Sequence, residues 1–271
     1  NPNPKPNPNP NPKVGWGAAS AWTPAVLRER ASGSYVYVME RDPHPLGLES
    51  ALDLFGYALQ RRLTTLGLAL RNASNPNRYL ATQGLKGHVY QPPLAGTSLK
   101  ADVPPPPFLN GWPLRTVGLW LGAAPVAAVP GAGAASRLHH DAHDNLNCVV
   151  AGTKVFYLFA PEAAIPTFGE RVGLAGGVHR YRYAGSDAAH AAQNLILGEH
   201  FSGVDARRNA VFRDAAAVIA VAEGECIVIP RGFFHQVESF GCADERREGC
   251  AGAAAGDPTT HIAVNAWFDA P

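Results

Sequence analysis

The sequence predicts a mainly β protein, a double-stranded β-helix or jelly-roll barrel with flanking α-helices. Three stretches carry that expectation. AAAVIAVAEGECIVIPRGFFHQVES, residues 215–239, reads as strand, Glu223-Gly224 turn, strand, bend at Pro230 and strand. SRLHHDAHDNLNCVVAGTKVFYLFAP, residues 136–161, is a strand-turn-strand unit, and HIAVNAWFD, residues 261–269, is a closing strand. Several short apolar strands separated by turn residues suit a closed, double-sheeted barrel.

In chain order, NPNPKPNPNPNPK at residues 1–13 is low complexity, and its alternate prolines remove every second amide donor and favour polyproline II. Residues 1–15 are therefore expected to be an extended arm and residues 16–271 a single domain. Thr23-Pro24 is a helix start, with a capping hydroxyl and a proline at the first position. SYVYVME follows as a strand. In LESALDLFGYALQRRL, Leu48, Leu52, Phe55, Leu59 and Leu63 recur every three or four residues, which predicts an amphipathic helix on the barrel's outside. NPNRYLATQ contains a short strand, PPPP at 104–107 marks a rigid loop, and TVGLWLG at 116–122 is a strand. Trp112 between them is expected to pack. Residues 162–210 are rich in Ala, Gly and His with little periodicity and read as an insertion of loops and short helices.

The 271 residues carry 23 Lys+Arg against 22 Asp+Glu, a net charge of +1, which gives no electrostatic reason to expect nucleic acid or an anionic membrane. No apolar run reaches the 18 residues that would suggest a membrane span. No charged-then-apolar leader is present, so cytosol and nucleus are the expected locations. Among the four cysteines, Cys148 and Cys226 sit in apolar strand patterns and read as buried thiols. Cys242 and Cys250 bracket a charged loop, where a local disulfide is the minority reading in a reducing compartment.

The chemistry concentrates at residues 136–161. In an extended segment residues two apart point the same way, so His139 and Asp141 present an imidazole and a carboxylate on one face. His235, after the Pro230 bend, is available as a third ligand. Two His and one carboxylate leave coordination positions open, the set that suits non-haem Fe(II) oxygenases. Another register would use His140 or His143. His140 has no carboxylate two residues on and should point away, while His143 shares the inward face and stays open as a supporting group. His179, His190 and His200 have no carboxylate two residues away in a strand and read as loop or surface histidines.

These residues and their flanks resemble the JmjC-type, 2-oxoglutarate-dependent Fe(II) dioxygenases, whose barrel is cupin-like. LHHDAHDNLNCVVAGTK and HIAVNAWFD are most similar to the small JmjC-only lysyl hydroxylase group, and the similarity runs with gaps from Trp16 to Asp269. The resemblance implies Fe(II) held by His139, Asp141 and His235, with 2-oxoglutarate as cosubstrate and O2 as oxidant. It places Lys154 as the ion-pair partner of the distal carboxylate of 2-oxoglutarate, with Tyr79 and Ser136 as hydrogen-bond partners. It also sets Asn145 and Asn265 beside the metal and cosubstrate. An inward Lys154 within the apolar VFYLF run would be costly without an anion to meet it. Trp267 is expected to pack in the barrel. The chain departs from the resembled group's pattern at Asn147, where members carry an aromatic, which bears on substrate rather than on the metal set.

The implied reaction is hydroxylation of a protein side chain, a lysyl one by the closest resemblance, with a lysine-presenting protein or peptide as partner. Rival readings are oxidation of N-methyl lysine or of a modified tRNA base, which keep every metal and cosubstrate residue, and cleavage of histone tails, which would need a metal-activated water and has no separate protease motif here. A non-oxygenase cupin using zinc or manganese would not need Lys154 inward. A homodimer is compatible with the sequence, which does not fix the oligomeric state.

Overall fold

The computed structural model describes residues 15–40, 54–55, 60–71, 73–75, 78–81, 87–126, 131, 133–136, 138–160, 169–175, 178–183, 200–201, 206–207, 210–242 and 258–270. The N-terminal arm, Cys250 and His190 lie outside these residues.

Short helices α1 (Gly17–Ala21) and α2 (Pro24–Ala31) open the described chain, and Thr23 caps α2 by accepting from the Val26 N–H at 3.2 Å. The side of the barrel sheet away from the site rests on them. Trp22 is fully buried and donates to Asp102 at 2.7 Å, while the Trp16 indole donates to the Pro104 carbonyl at 2.8 Å. Two large indoles thus pin the helices to the proline-rich loop through apolar burial and satisfied N–H groups.

Strand β1 (Tyr35–Glu40) forms where SYVYVME predicts it. The expected helix over 48–63 does not form in the described part of that stretch, which holds β2 (Leu54–Phe55) and the start of β3 (Gln60–Thr65) instead. Strand β3 pairs with β1, Leu63 opposite Tyr37, and only then does a short helix α3 (Leu66–Leu70) begin. The physical reason is tertiary: pairing with β1 supplies backbone partners that outweigh a helical spacing already weakened by Gly56.

Strands β4 (Arg78–Ala81) and β5 (Leu114–Pro125) follow. Next come β6 (Ala134–Ser136), β7 (His139–His140), β8 (Asp144–Ala151) and β9 (Thr153–Phe159). Within the expected insertion of loops and helices the structure has an antiparallel hairpin, β10 (Gly169–Ala175) with β11 (Val178–Tyr183), then β12 (His200–Phe201) and helix α4 (Ala210–Ala215). Strands β13 (Ala217–Val221), β14 (Cys226–Ile229), β15 (Phe234–Phe240) and β16 (Pro258–Phe268) complete the barrel.

Two sheets face each other. One runs β14-β8-β16-β5-β4-β1-β3, and the other runs β12-β7-β15-β6-β2 with β9 on β15 and β13 on β9. Alternation along the strands sorts the side chains. Leu119 and Leu121 of β5, Leu146 and Val150 of β8, and Ile262 and Val264 of β16 join the helix-side core with Trp16, Trp22 and Leu27. The intervening residues line the space between the sheets.

The cysteine expectation is corrected here. Cys148 and Cys226 are cross-strand partners of β8 and β14 and form a disulfide rather than two thiols. Cys242 is disulfide-bonded as well, to a partner outside the described residues. An apolar strand pattern signals burial equally for a thiol and a half-cystine, so only the register distinguishes them.

Candidate metal centre

His139 lies in β7 and His235 in β15, and the two are direct partners across the antiparallel pair, so their side chains share a face. Their rings are 4.2 Å apart, centroid to centroid. Asp141, just past β7, reaches both: Oδ1 is 3.8 Å from His139 Nε2, and Oδ2 is 3.8 Å from His235 Nε2. One ligand atom from each of the three residues lies within 4.8 Å of the others, close enough to share an ion. The loops are locked together from behind. The Gly232 N–H donates to the Asp141 carbonyl and the Arg231 N–H to Asp144 Oδ1, each at 3.0 Å. Gly232 sits at φ 81°, a conformation that only glycine adopts without strain.

Supporting contacts orient the ligands. His235 Nδ1 is 3.1 Å from the Phe233 carbonyl, so its proton is held there and Nε2 is left with a free lone pair for a metal. The Trp267 indole N–H donates to Asp141 Oδ2 at 3.0 Å, and the Asn145 amide donates to the same oxygen at 3.3 Å. Burial alone would raise the Asp141 carboxyl, but with no metal bound the charge of His235 and His139 when protonated, together with the Trp267 N–H, outweighs it and holds it below the usual range. His140 faces away, buried against Phe234. His143 is at the rim, 43% exposed, and bonds Asp269 at 2.7 Å rather than any of the three ligands.

The space between the sheets continues away from the triad. On β15 the inward positions run His235, Val237, Ser239, so Ser239 is four residues, about 13 Å at ~3.3 Å per residue, from His235. Opposite Ser239 in the register is Lys154 of β9, only 4% exposed. Burial draws the Lys154 ammonium down to about 8, and its Nζ lies 5.9 Å from the Trp120 ring centre. Across from it, Tyr79 of β4 packs on Trp120 and on His261 with ring centres 5.7 and 5.5 Å away. Burial raises the Tyr79 phenol against a hydrogen bond with Ser239.

Ser136 is tied to β15: its hydroxyl oxygen accepts from the Val237 N–H at 3.0 Å, and its carbonyl accepts from the Gln236 amide at 3.1 Å. The hydroxyl proton remains for another acceptor. Asn265 is the backbone partner of Asn147, and its Oδ1 accepts from the Trp120 indole, which leaves its amide N–H groups for other use. The Oδ1 atoms of Asn145 and Asn147 and both ring nitrogens of His261 are buried with no hydrogen-bond partner among the described residues.

Four residues of this space were not legible as functional. Trp267, expected only to pack, bonds a metal-site carboxylate; Trp120, Ser239 and His261 sit beside Lys154 and Tyr79. For His261 and Trp267 the strand alternation HIAVNAWFD already sets His261, Asn265 and Trp267 on one face, and Asn265 could have flagged the other two. Trp120 and Ser239 carried no comparable local signal.

The donor chemistry fits the groups implied by the resemblance. Two imidazoles and a carboxylate converge at one end, and a buried ammonium with no carboxylate partner among the described residues waits at the other with unpaired polar atoms between. Buried polar groups normally find partners, so this set suits a small polar ligand. No helix among the described residues is long and apolar enough to cross a membrane.

Similarity extends to known proteins. The "Lysine-specific demethylase JMJ31" of Arabidopsis thaliana is 27% identical over 146 residues, 52% of this chain and 22% of that protein. Two Escherichia coli structures, of ycfD and of the ribosomal oxygenase YcfD, align with 92% and 93% of the chain at 12% and 10% identity. Their TM-scores are 0.42 and 0.38, and 46% and 45% of those chains are covered. The chain thus spans about a fifth of the curated relative and under half of the solved structures. A model of the family described as "Cupin-like domain" matches residues 14–271, and with the jelly-roll topology and its inward His-Asp-His cluster the chain belongs to that cupin-like domain family.

Proposed function

We propose that this protein is an Fe(II)- and 2-oxoglutarate-dependent dioxygenase that hydroxylates a protein side chain, a lysyl one. The carrying observation is the buried Lys154, with no carboxylate partner among the described residues, at the far end of the barrel from His139, Asp141 and His235. A charged ammonium is rarely buried without a counter-ion, and a diacid whose other end reaches the metal would supply one. When bound, iron with 2-oxoglutarate supplies oxygen activation coupled to decarboxylation of the oxo acid, giving succinate, carbon dioxide and one hydroxylated C–H.

The residues present have definite parts in that reading. His139, Asp141 and His235 would hold the metal on one side and leave the others open. Lys154 and Tyr79 would pair with the distal carboxylate, and Ser136, Asn145 and Asn265 would offer hydrogen bonds along the oxo acid. The protein's contribution is placement: one substrate carbon is held near the metal in a space that excludes water. A lysine-bearing protein is the proposed partner, supported by the resemblance of the core motif to lysyl hydroxylases. The relative titled a lysine-specific demethylase favours N-methyl lysine as the second reading, since oxidising an N-methyl group needs the same hydroxylation.

The test is turnover of 2-oxoglutarate to succinate by purified protein with Fe(II), alone and with lysyl and methyl-lysyl peptides. A peptide mass gain of one oxygen supports hydroxylation, and loss of one methyl group supports the second reading. Turnover that survives Asp141→Ala defeats the ligand assignment.

A further inference from the structure

Register alignment sets three residues in a row across adjacent strands: Tyr79 of β4 is opposite Gly122 of β5, and Gly122 is opposite His261 of β16. The glycine leaves that row open. A Cβ on Gly122 would come 2.7 Å from the Tyr79 ring and 3.1 Å from His261 Nε2, so a side chain there would displace one ring or the other. His261 is 1% exposed, and neither of its ring nitrogens has a hydrogen-bond partner among the described residues. Burial first, and the Lys154 charge second, hold the imidazole neutral. A neutral ring keeps one N–H to donate, and leaving it unpaired in a buried site is unfavourable.

A carboxylate accepts at about four positions around its two oxygens, which leaves room for a third donor direction beside one ammonium and one phenol. We propose that His261 is a third donor to the distal carboxylate of the oxo acid, beside Lys154 and Tyr79, and that it sets this chain's preference for a dicarboxylic cosubstrate. The inference rests on the 2-oxoglutarate reading above and adds to it a residue that discriminates diacid from monoacid. Lys154 supplies the charge, and His261 supplies direction: its flat ring, packed at a 38° tilt against Tyr79, admits an acceptor only in its own plane.

The experiment measures binding rather than turnover. Fe(II)-loaded protein is titrated without oxygen, following the visible absorption that appears when a 2-oxo acid chelates iron. The probes are 2-oxoglutarate and 2-oxovalerate, which has the same five-carbon chain without the distal carboxylate. His261→Leu is expected to weaken 2-oxoglutarate about tenfold or more, the loss of a hydrogen bond to a charged acceptor, and to leave 2-oxovalerate unchanged. His261→Gln, which restores an N–H, should recover part of the loss. Equal weakening of both acids would reduce His261 to packing, and no change in either would remove it from the site; each overturns the proposal. Wild-type protein that takes up neither acid ends the 2-oxoglutarate reading and this one with it, whereas wild-type discrimination retained in the leucine variant sinks only the role of His261. Should the leucine variant not fold, wild-type protein with Zn(II) in place of iron and ¹⁵N-labelled histidine carries the test. The His261 ring-nitrogen resonance should move with 2-oxoglutarate and stay still with 2-oxovalerate; a resonance unmoved by the diacid overturns the proposal.

Discussion

The Trp267 indole N–H donates to Asp141 Oδ2 at 3.0 Å, on the same oxygen that faces His235. The donor fixes the carboxylate's rotation and leaves Oδ1 toward His139. Contacts of this kind typically change metal affinity 10–100-fold when removed. Trp267→Phe keeps most of the half-buried ring and deletes the donor. It is expected to weaken metal binding about tenfold with little change in unfolding temperature, read by competition titration with a chelator. Unchanged affinity would mean that the loops alone orient Asp141.

Lys154 gives the site a pH dependence whose sign follows from its lowered value. With the free ammonium at about 8, the lysine is already charged below that pH and affinity for an anion is flat there. Above it the charge must be restored before the anion binds, so affinity for 2-oxoglutarate should fall about tenfold per pH unit. Stability of the ligand-free protein runs the other way. Between about 8 and the unfolded value near 10.5 the unfolded chain binds more protons, so stability should rise with pH across that window. Calorimetric titration with the oxo acid from pH 7 to 9.5 checks the first, and denaturant unfolding over pH 7–10.5 checks the second. Lys154→Met should remove the pH dependence of binding together with most of the affinity.

What could be read from the chain alone follows from how local each signal is. His139 and Asp141 are two residues apart in a strand, so their shared face follows from backbone geometry. Lys154 stands out because an apolar run surrounds it. His261 does not stand out, since its meaning depends on Gly122 and Tyr79 arriving beside it through register with two other strands. The misread helix has the same origin. Leucines spaced three and four apart fit a helix, yet Leu63 is a 55% exposed strand residue paired with Tyr37, and β1 rather than periodicity decided the outcome. Cys148 and Cys226, 78 residues apart, likewise required the β8–β14 register to be recognised as a pair.

That pair makes its own prediction. Closing a loop of 78 residues constrains the unfolded chain, an effect of about 2–4 kcal/mol. Cys148→Ser with Cys226→Ser should lower unfolding free energy by about that amount, measured in urea without reductant. Alkylation of denatured protein taken directly from cells should label neither cysteine before reduction. Labelling of both would show that the bridge is absent in the compartment where the protein works, as a reducing cytosol or nucleus would dictate.

On the outer side of β15 a buried charge cluster holds the approach to the site in place. Glu238 Oε1 accepts from the Gly131 and Gly133 N–H groups at 2.8 Å each and from Arg207 Nη1 at 3.3 Å, and Oε2 accepts from the Tyr157 hydroxyl at 3.1 Å. Arg207 also donates to the Gly133 carbonyl at 3.0 Å, and neither charged side chain reaches solvent. The segment so clamped leads directly into β6 and Ser136, while Ala206 bonds Gln236, the neighbour of His235. Removing one member of a fully buried pair strands the other charge, at about 3–5 kcal/mol. Arg207→Met should therefore destabilise by that much, and Arg207→Met with Glu238→Gln by less than the two single changes summed, because no unpaired charge remains. Denaturant unfolding of the four proteins gives the coupling; additive losses would show that the clamp works through its hydrogen bonds to Gly131 and Gly133 and owes nothing to the ion pair.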